Sequence, residues 1–333
     1  MKKKKILTVG IILLFIGMSI IPSTAQDIKK SSLSTSSGNW LYVGGSGPGN
    51  FTKIQDAVDN ASDGDTVYVY SGIYNDYYPS GQQSRCVLIH KSLNLTGENK
   101  YTTIINVTGV GDVIRVMAVG VTISGFTIQN SGGEPFYGGI NLVDGRYSNI
   151  DIHNNIITKN RRGILIDGNY QVNIHNNTII NNGLGIGCDF PTACIIRENE
   201  ISNNTYGLNC VFGDSSSRVC YNQIKDNDVG FSADISAIPV VSNNFIGNKA
   251  HVGFTKGVYL SSVYLLPTKR LIFFNNYWDD WDKITPKPLK GTITIWIHFF
   301  FGGTWGDIPI ATFPYILFDL LPAKEPHVIP VMN

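Results

Sequence analysis

The feature that most constrains this chain is a repeat of 22 or 23 residues through its central part. Two columns of asparagine and one of glycine keep this step: Asn155, Asn177, Asn199, Asn222 and Asn244; Asn160, Asn182, Asn204 and Asn227; Gly163, Gly185, Gly207, Gly230 and Gly253. Columns that share one period indicate a repeat architecture, in which each unit packs mainly on its two neighbours. The chain is therefore predicted to be a solenoid.

Within each repeat the apolar residues alternate with period two, which is typical of strands. Ile150 and Ile152 point one way, whereas Asp151 and His153 point the other. A repeat of this length accommodates three short strands with turns between them, so stacked repeats form an all-β solenoid with parallel sheets. An Ile column is expected to fill the core, at Ile157, Ile179, Ile201, Ile224 and Ile246. Inward Asn side chains are expected to hydrogen-bond to each other and to backbone at the bends, and Gly to give the corners backbone freedom.

These repeats resemble the right-handed parallel β-helix of the pectin-lyase-like superfamily. Residues 51–74 resemble the capping helix and first strand of such proteins, with Thr52 as a plausible N-cap. The run Asn-Asn-Tyr-Trp-Asp-Asp-Trp at 275–281 resembles the ending of NosD-like envelope β-helix proteins. The resemblance covers roughly residues 40–282 and implies a fold, but the superfamily contains lyases, hydrolases and adhesins.

The chain divides into four predicted segments. Residues 1–25 have the basic, apolar and small-residue regions of a secretory signal peptide, with an uncleaved anchor as the alternative. Residues 26–39 are a flexible linker, and 40–282 form the right-handed parallel β-helix with its capping helix. Residues 283–333 form a C-terminal cap, with a strand at 292–301 and an extended Pro-rich tail. The protein is expected to be secreted or held in the cell envelope, with no membrane span in the mature chain.

The net charge bears on the possible partners, and the positions of the cysteines bear on disulfide formation. A net charge of +1 gives no electrostatic reason to expect nucleic acid as a partner. Cys188 and Cys210 occupy one inward column, one repeat apart, where packed free thiols are expected and a disulfide stays possible.

An acidic column is the first candidate for chemistry. Asp167, Asp189 and Asp234 each lie four residues after the repeat Gly, with Asp144 displaced by one and Arg146 close in sequence. Two carboxylates one repeat apart are close enough to share Ca²⁺. The resemblance to pectate lyases implies Ca²⁺-binding carboxylates and a basic residue that abstracts a proton next to a uronate carboxyl. The alternative is that these residues form Asp-Gly turns.

A histidine column is the second candidate. His153 and His175 lie one repeat apart on the outward face, and Asp151 lies beside the first. Stacked imidazoles suit a divalent transition metal, with Asp167 and Asp189 as further candidate ligands, and the NosD resemblance implies copper handling. A solvated sheet face is the alternative, since a site needs three or four converging ligands.

Aromatic side chains in predicted turns are the third candidate. Tyr74, Tyr137, Tyr147 and Tyr170 could stack on sugars if their rings face solvent. No complete hydrolase or lyase set is present in the sequence, which leans against an enzyme. The sequence therefore favours an exported, non-catalytic protein that binds a polysaccharide or cell-surface glycan. The alternatives are a Ca²⁺-dependent polysaccharide lyase and a copper-handling protein of the NosD kind.

Overall fold

A computed structural model describes residues 38–76, 85–109, 111–134, 136–142, 147–168, 170–211, 213–234, 236–260, 271–283, 285–301 and 304–329. Of residues 170, 255–260, 293–301 and 304–310 it describes the backbone alone. No helix among these residues is long and apolar enough to cross a bilayer.

Parallel strands stack into three faces of a coil of about nine turns, which confirms the parallel β-helix. The first face contains β4 (Arg85–Ile89), β7 (Asp112–Val116), β10 (Ile140–Leu142), β13 (Arg162–Asp167), β16 (Leu184–Asp189), β19 (Tyr206–Val211), β22 (Val229–Asp234) and β25 (Ala250–Leu260). The second contains β1 (Trp40–Val43), β2 (Thr66–Val69), β5 (Asn94–Gly97), β8 (Thr122–Ser124), β11 (Ser148–His153), β14 (Tyr170–His175), β17 (Ile195–Arg197), β20 (Arg218–Cys220), β23 (Pro239–Val241) and β26 (Ile272–Phe274). The third contains β3 (Gly72–Tyr74), β6 (Thr103–Asn106), β9 (Thr127–Gln129), β12 (Ile156–Thr158), β15 (Thr178–Ile180), β18 (Glu200–Ser202), β21 (Gln223–Lys225), β24 (Asn244–Ile246) and β27 (Tyr277–Trp278).

The core is a set of inward columns that repeat from turn to turn. Ile157, Ile179, Ile201 and Ile224 are register partners on the third face and are fully buried. On the first face Cys188 and Cys210 are register partners, and both are buried and free in the structure. Period-two alternation therefore sorts apolar residues inward and polar residues outward, as the sequence predicts.

A ladder of asparagine side chains runs up the corner between the second and third faces. Asn199 shows the pattern: its backbone N–H and its Nδ2 both donate to Asn222 Oδ1, at 3.0 Å each. The same Nδ2 donates to the carbonyls of Ile174 and Arg197, at 2.9 Å each. The ladder comprises Asn155, Asn177, Asn199, Asn222, Asn243 and Asn276. Each amide thus satisfies backbone groups that a bend removes from the sheet ladders.

A second ladder follows the corner between the third and first faces, through Asn160, Asn182, Asn204, Asn227 and Asn248. It ends on an imidazole, where Asn248 Nδ2 lies 3.3 Å from His251 Nδ1. His251 Nε2 lies 2.9 Å from a carboxylate oxygen of Asp279. The neutral tautomer protonated on Nε2 satisfies both contacts, so Nδ1 accepts from Asn248.

Two details of the repeat differ from the sequence analysis. The fifth members of the columns are Asn243, Phe245 and His251, rather than Asn244, Ile246 and Gly253, because the last step is 21 residues. The Gly column is also explained differently, since a Cβ on Gly163 would lie 2.4 Å from the carbonyl oxygen of Gly185. Close approach of the next turn, rather than corner flexibility, requires glycine there.

The two ends of the coil carry different elements. A short helix, α1 (Ile54–Asn60), begins after Lys53 rather than after Thr52, and buries Ile54, Ala57 and Val58. At the other end β28 (Lys287–Phe301) and β29 (Thr304–Asp319) form an antiparallel hairpin. The second of these strands takes up the first part of the tail expected from the sequence, and β28 continues the first face by pairing with β25. Residues 320–329 follow it along the coil, where the N–H of Ala323 donates to the carbonyl of Asn276 and the N–H of His327 donates to Asn244 Oδ1.

We expect Asn199→Ala to be strongly destabilising, because it removes one rung of the ladder. Each buried polar group left without a partner costs about 1–3 kcal/mol, so the free energy of unfolding should fall by at least about 3 kcal/mol. The matched control is Asn209→Ser, on the outer face of the same turn, whose register partner is already Ser232. Denaturant unfolding measures both, and equal losses in the two variants would contradict a structural role for the ladder.

Acid should weaken the end of the second ladder. Burial lowers the pKa of His251, the Asp280 and Asp279 carboxylates raise it in part, and Lys287 lowers it. Because the net shift is downward, the unfolded chain binds the proton more readily, so stability is full above the ordinary histidine pKa of about 6.5 and falls as pH drops below it. His251→Gln, which cannot titrate, should lose less stability between pH 7.5 and 5 than the wild-type protein. Parallel pH profiles of the two proteins in denaturant unfolding would refute this expectation.

A histidine and carboxylate cluster on the outer face of the coil

The second face brings two histidines and one aspartate together on its outer side. Ile150 and Ile152 of β11 are buried, so the alternating residues Asp151 and His153 point outward. His175 of β14 is the register partner of His153 on the next turn. Residues 22 apart in sequence therefore become neighbours, as the repeat predicts.

The three side chains converge closely enough to share one ion. His175 Nε2 lies 3.0 Å from Asp151 Oδ1, and His153 Nδ1 lies 3.6 Å from Asp151 Oδ2. The two imidazole rings stack with centroids 5.0 Å apart and planes 10° from parallel. One ligand atom from each residue lies within 4.8 Å of the others. Sequence reasoning identified this column, but the structure adds Asp151 as a full member.

Two asparagines hold the cluster in place. Asn173, the register partner of Asp151, donates from Nδ2 to Asp151 Oδ1 at 3.3 Å. Asn176 adopts a left-handed backbone conformation, with φ of 53°, and its Nδ2 lies 3.2 Å from His175 Nδ1. If Nδ1 accepts from this amide, the proton of neutral His175 lies on Nε2, facing the carboxylate. The sequence analysis did not assign Asn176 to this cluster.

The electrostatics keep the carboxylate charged. Burial raises the pKa of Asp151, but the imidazoles of His153 and His175 lower it by more, and the pKa lies well below its ordinary value. His153 Nδ1 is itself buried and has no hydrogen-bond partner. A buried ring nitrogen of this kind is costly to leave unsatisfied, unless a further group contacts it. The cluster thus offers one anionic oxygen and two ring nitrogens.

This donor set fits a transition metal. Imidazole suits zinc, copper and nickel, and copper(II) combines readily with nitrogen and oxygen ligands. The column continues to Arg197 on the next turn, but its guanidinium is paired with Glu198. The cluster therefore ends at His175, and the sheet contributes three ligands rather than four.

A second cluster of the same residue types lies near the C-terminal end of the coil. His251 Nε2 lies 2.9 Å from Asp279 and 3.3 Å from Asp280. The buried ammonium of Lys287 is bonded to Asp280, so a cation of the chain itself already neutralises this site. The cluster joins β28 to the last turn and is accounted for as a structural ion-pair network.

The acidic column is only partly within the described residues. Asp167 and Asp189 are register partners, followed by Val211 and Asp234, as predicted, whereas Asp144 and Arg146 lie outside the described residues. Asp167 precedes Gly168, whose φ of 66° makes it a turn residue. Burial raises the pKa of Asp189, the neighbouring Asp167 raises it further, and Arg162 lowers it in part.

Three of the four tyrosines singled out in the sequence have side chains among the described residues, and none of these three is exposed. Tyr74 lies in β3 rather than in a turn, is 8% exposed, and donates its hydroxyl to the carbonyl of Tyr70 at 2.8 Å. Tyr147 packs against the core, and Tyr137 is half-buried. The side chain of Tyr170 lies outside the described residues.

A cluster of aromatic rings that the sequence analysis did not single out lies elsewhere on the second face. It consists of Trp40 and Tyr42 on β1, Tyr68 on β2, and Tyr70 just after β2. The sequence contains a pattern that predicts this cluster. Aromatic and aliphatic residues alternate in Trp-Leu-Tyr-Val at 40–43 and in Tyr-Val-Tyr at 68–70, which places the rings on the outward side of two strands.

Comparison with solved structures gives similar folds at low identity. The chain is 12% identical to a pectate lyase, with 71% of this chain and 74% of that chain covered and a TM-score of 0.48. It is 11% identical to a pectin methylesterase from Erwinia chrysanthemi, with 71% and 88% covered and a TM-score of 0.43. A pectin methylesterase from carrot is also 11% identical, with 71% and 81% covered and a TM-score of 0.44.

Sequence comparison is more specific. No curated protein matches the chain. A family model does match, over residues 58–282, and it is described as periplasmic copper-binding protein (NosD). Since the match spans well over half of the 333 residues, the chain belongs to the NosD family of periplasmic copper-binding proteins.

Proposed function

We propose that this protein binds a copper ion on the outside of its coil, through Asp151, His153 and His175. The observation that carries the proposal is the convergence of one carboxylate and two imidazoles, with ligand atoms within 4.8 Å of one another. The family description names copper, and this donor set suits copper(II).

Each residue has a definite part in such a site. Asp151 supplies a negative charge, and its lowered pKa keeps it ionised throughout the neutral range. His175 would bind through Nε2, which already faces the carboxylate, once the proton of the neutral ring has moved to Nδ1. The amide of Asn176 would then turn its oxygen toward Nδ1 to accept that proton in a hydrogen bond. His153 would bind through Nδ1, the buried nitrogen that lacks a hydrogen-bond partner. The bound ion would supply a Lewis-acidic centre open to further ligands.

The number of ligands favours a protein that passes copper on to another molecule over one that holds it permanently. Structural metal sites are usually closed by four protein ligands, whereas sites that exchange a ligand keep a position open. Three side chains on a half-exposed sheet surface leave such a position for water or for a ligand from another protein. We therefore propose that copper is cargo for this protein rather than a structural part of its fold.

An extracytoplasmic location is part of the proposal. The family is described as periplasmic, and the first 25 residues have the pattern of a secretory signal. Exposed copper ligands are consistent with such a location.

We propose carbohydrate binding without cleavage as a second function. It is supported by the ring cluster of Trp40, Tyr42, Tyr68 and Tyr70, since exposed aromatic rings can stack on sugars. The lyase alternative has weaker support. Of its proposed site, the described residues bring together Asp167 and Asp189 alone, and Asp167 ends β13 directly before the turn at Gly168.

Copper(II) titration of the purified protein tests the first function. We expect one tight site whose electron paramagnetic resonance spectrum shows hyperfine coupling to imidazole nitrogen. His153→Ala and His175→Ala should each weaken binding by at least about tenfold, since even residues that only orient ligands contribute about 10- to 100-fold. Binding should also fall on acidification, because an imidazole must be neutral to act as a ligand.

The matched control is His90→Ala, which removes a histidine that also lies near a carboxylate, 3.9 Å from Asp59, away from the cluster. Its affinity and spectrum should be unchanged. Retention of the nitrogen coupling in the His153→Ala, His175→Ala double variant would place copper elsewhere and refute the assignment.

A further inference from the structure

The ring cluster has the form of an exposed platform. Ring centroids lie 6.3 Å apart for Trp40 and Tyr42, 6.0 Å for Tyr42 and Tyr68, and 5.3 Å for Tyr68 and Tyr70. Trp40 is 56% exposed and Tyr42 is 38% exposed. Four rings, each in contact with at least two of the others and two of them open to solvent, form a patch of the kind that marks a binding surface.

Neutral polar residues extend this platform along the second face. One column runs from Tyr68 to the half-buried Thr96 and ends at Ser124, which is buried. A second runs from Trp40 through Thr66 and Asn94 to Thr122, and these three polar residues are half-buried. Neighbouring strands lie about 4.8 Å apart, so the surface from β1 to β8 is about 14 Å long. Hydroxyl and amide groups of this kind can donate to and accept from sugar hydroxyls.

The charge close to the rings is negative. Glu98 follows β5 and accepts hydrogen bonds from the backbone N–H and the hydroxyl of Ser71, at 2.9 and 2.7 Å. Burial raises the pKa of Tyr68, and the Glu98 carboxylate raises it further. A polymer that carries many carboxylates would be repelled at this end of the face, whereas an uncharged chain would not.

From this arrangement we infer that the surface formed by Trp40, Tyr42, Tyr68 and the polar residues Thr66, Asn94, Thr96 and Thr122 binds an uncharged glycan, rather than an acidic polysaccharide. The inference rests on the proposed carbohydrate-binding function and adds its substrate class and location. The rings stack on the apolar C–H faces of the sugars, and the polar columns bond to hydroxyl groups farther along the chain. Asp151 begins the charged part of the same face one strand beyond Thr122, so the glycan and the metal ligands are neighbours.

A panel of soluble polysaccharides tests the inference with the purified protein. Affinity electrophoresis and tryptophan fluorescence are measured with β-glucan and mannan as neutral probes, and with polygalacturonate and alginate as acidic probes. Trp40→Ala and Tyr42→Ala should each weaken binding of a neutral probe by about fivefold to tenfold. Tyr206→Ala is the matched control, since this outward tyrosine of β19 is 45% exposed and lies outside the ring cluster.

The outcomes separate the substrate class from the function itself. Binding of a neutral probe that weakens in Trp40→Ala and not in Tyr206→Ala supports the inference, and such binding should be insensitive to salt. Binding of acidic probes alone, weakened by salt, overturns the substrate class while carbohydrate binding stands. If a neutral probe binds and neither Trp40→Ala nor Tyr42→Ala weakens its binding, the proposed location of the site is wrong. Binding of no probe overturns both, provided that thermal melting shows the wild-type protein to be folded.

Discussion

The asparagine ladders are the interaction on which the rest of this structure depends. A coil with three faces must bend sharply three times in each turn, and every bend takes backbone groups out of the sheet ladders. Asn199 illustrates the solution, because its amide donates to two carbonyls at one bend and to the Asn222 oxygen of the next turn. Two of the three corners carry such a ladder, from Asn155 to Asn276 and from Asn160 to Asn248, so the same groups are satisfied from turn to turn and the bends stack in register. Buried polar groups are tolerated in this core because each of these amides is fully paired.

Register of this kind also determines what the outer surface can do. Once the bends are fixed, residues one repeat apart lie on neighbouring strands with their side chains in contact. His153 and His175 stack for this reason, and Asp151 joins them because alternation places it on the same outward side. The ring cluster of the first two strands arises in the same way from Tyr42 and Tyr68. A solenoid thus builds surface sites from columns, and a site needs only a few substitutions in an otherwise repetitive face.

The sequence predicts those columns well wherever the step stays constant. Period and alternation alone predict the solenoid of parallel strands, the inward cysteines and the histidine pair. They fail at the fifth member of each column, where a step of 21 residues places Asn243 and His251 in the columns instead of Asn244 and Gly253. The turns absorb such a change in step, but an error of one residue in the assumed register exchanges inward for outward positions in that strand. The ring cluster is not among the predicted sites for another reason. The candidate sugar-binding rings were those in predicted turns, whereas Trp40 and Tyr42 lie on a strand.

The end of the first ladder shows why a repeat must change its residue type where it stops. Asn276 would need a further acceptor above it, and Asp319 of β29 provides one: its Oδ2 accepts from the Asn276 backbone N–H and Nδ2, at 3.0 and 2.9 Å. The same oxygen accepts from Trp278 Nε1, and Oδ1 accepts from the N–H of Asn275, both at 3.1 Å. An asparagine at 319 would bring an N–H₂ group that has no next turn to receive it, in a fully buried position. A carboxylate has no hydrogens to satisfy, so it ends the ladder without leaving an unpaired donor. Asp319 therefore does for the first ladder what His251 does for the second, and both residues connect the last turn to the elements that follow it.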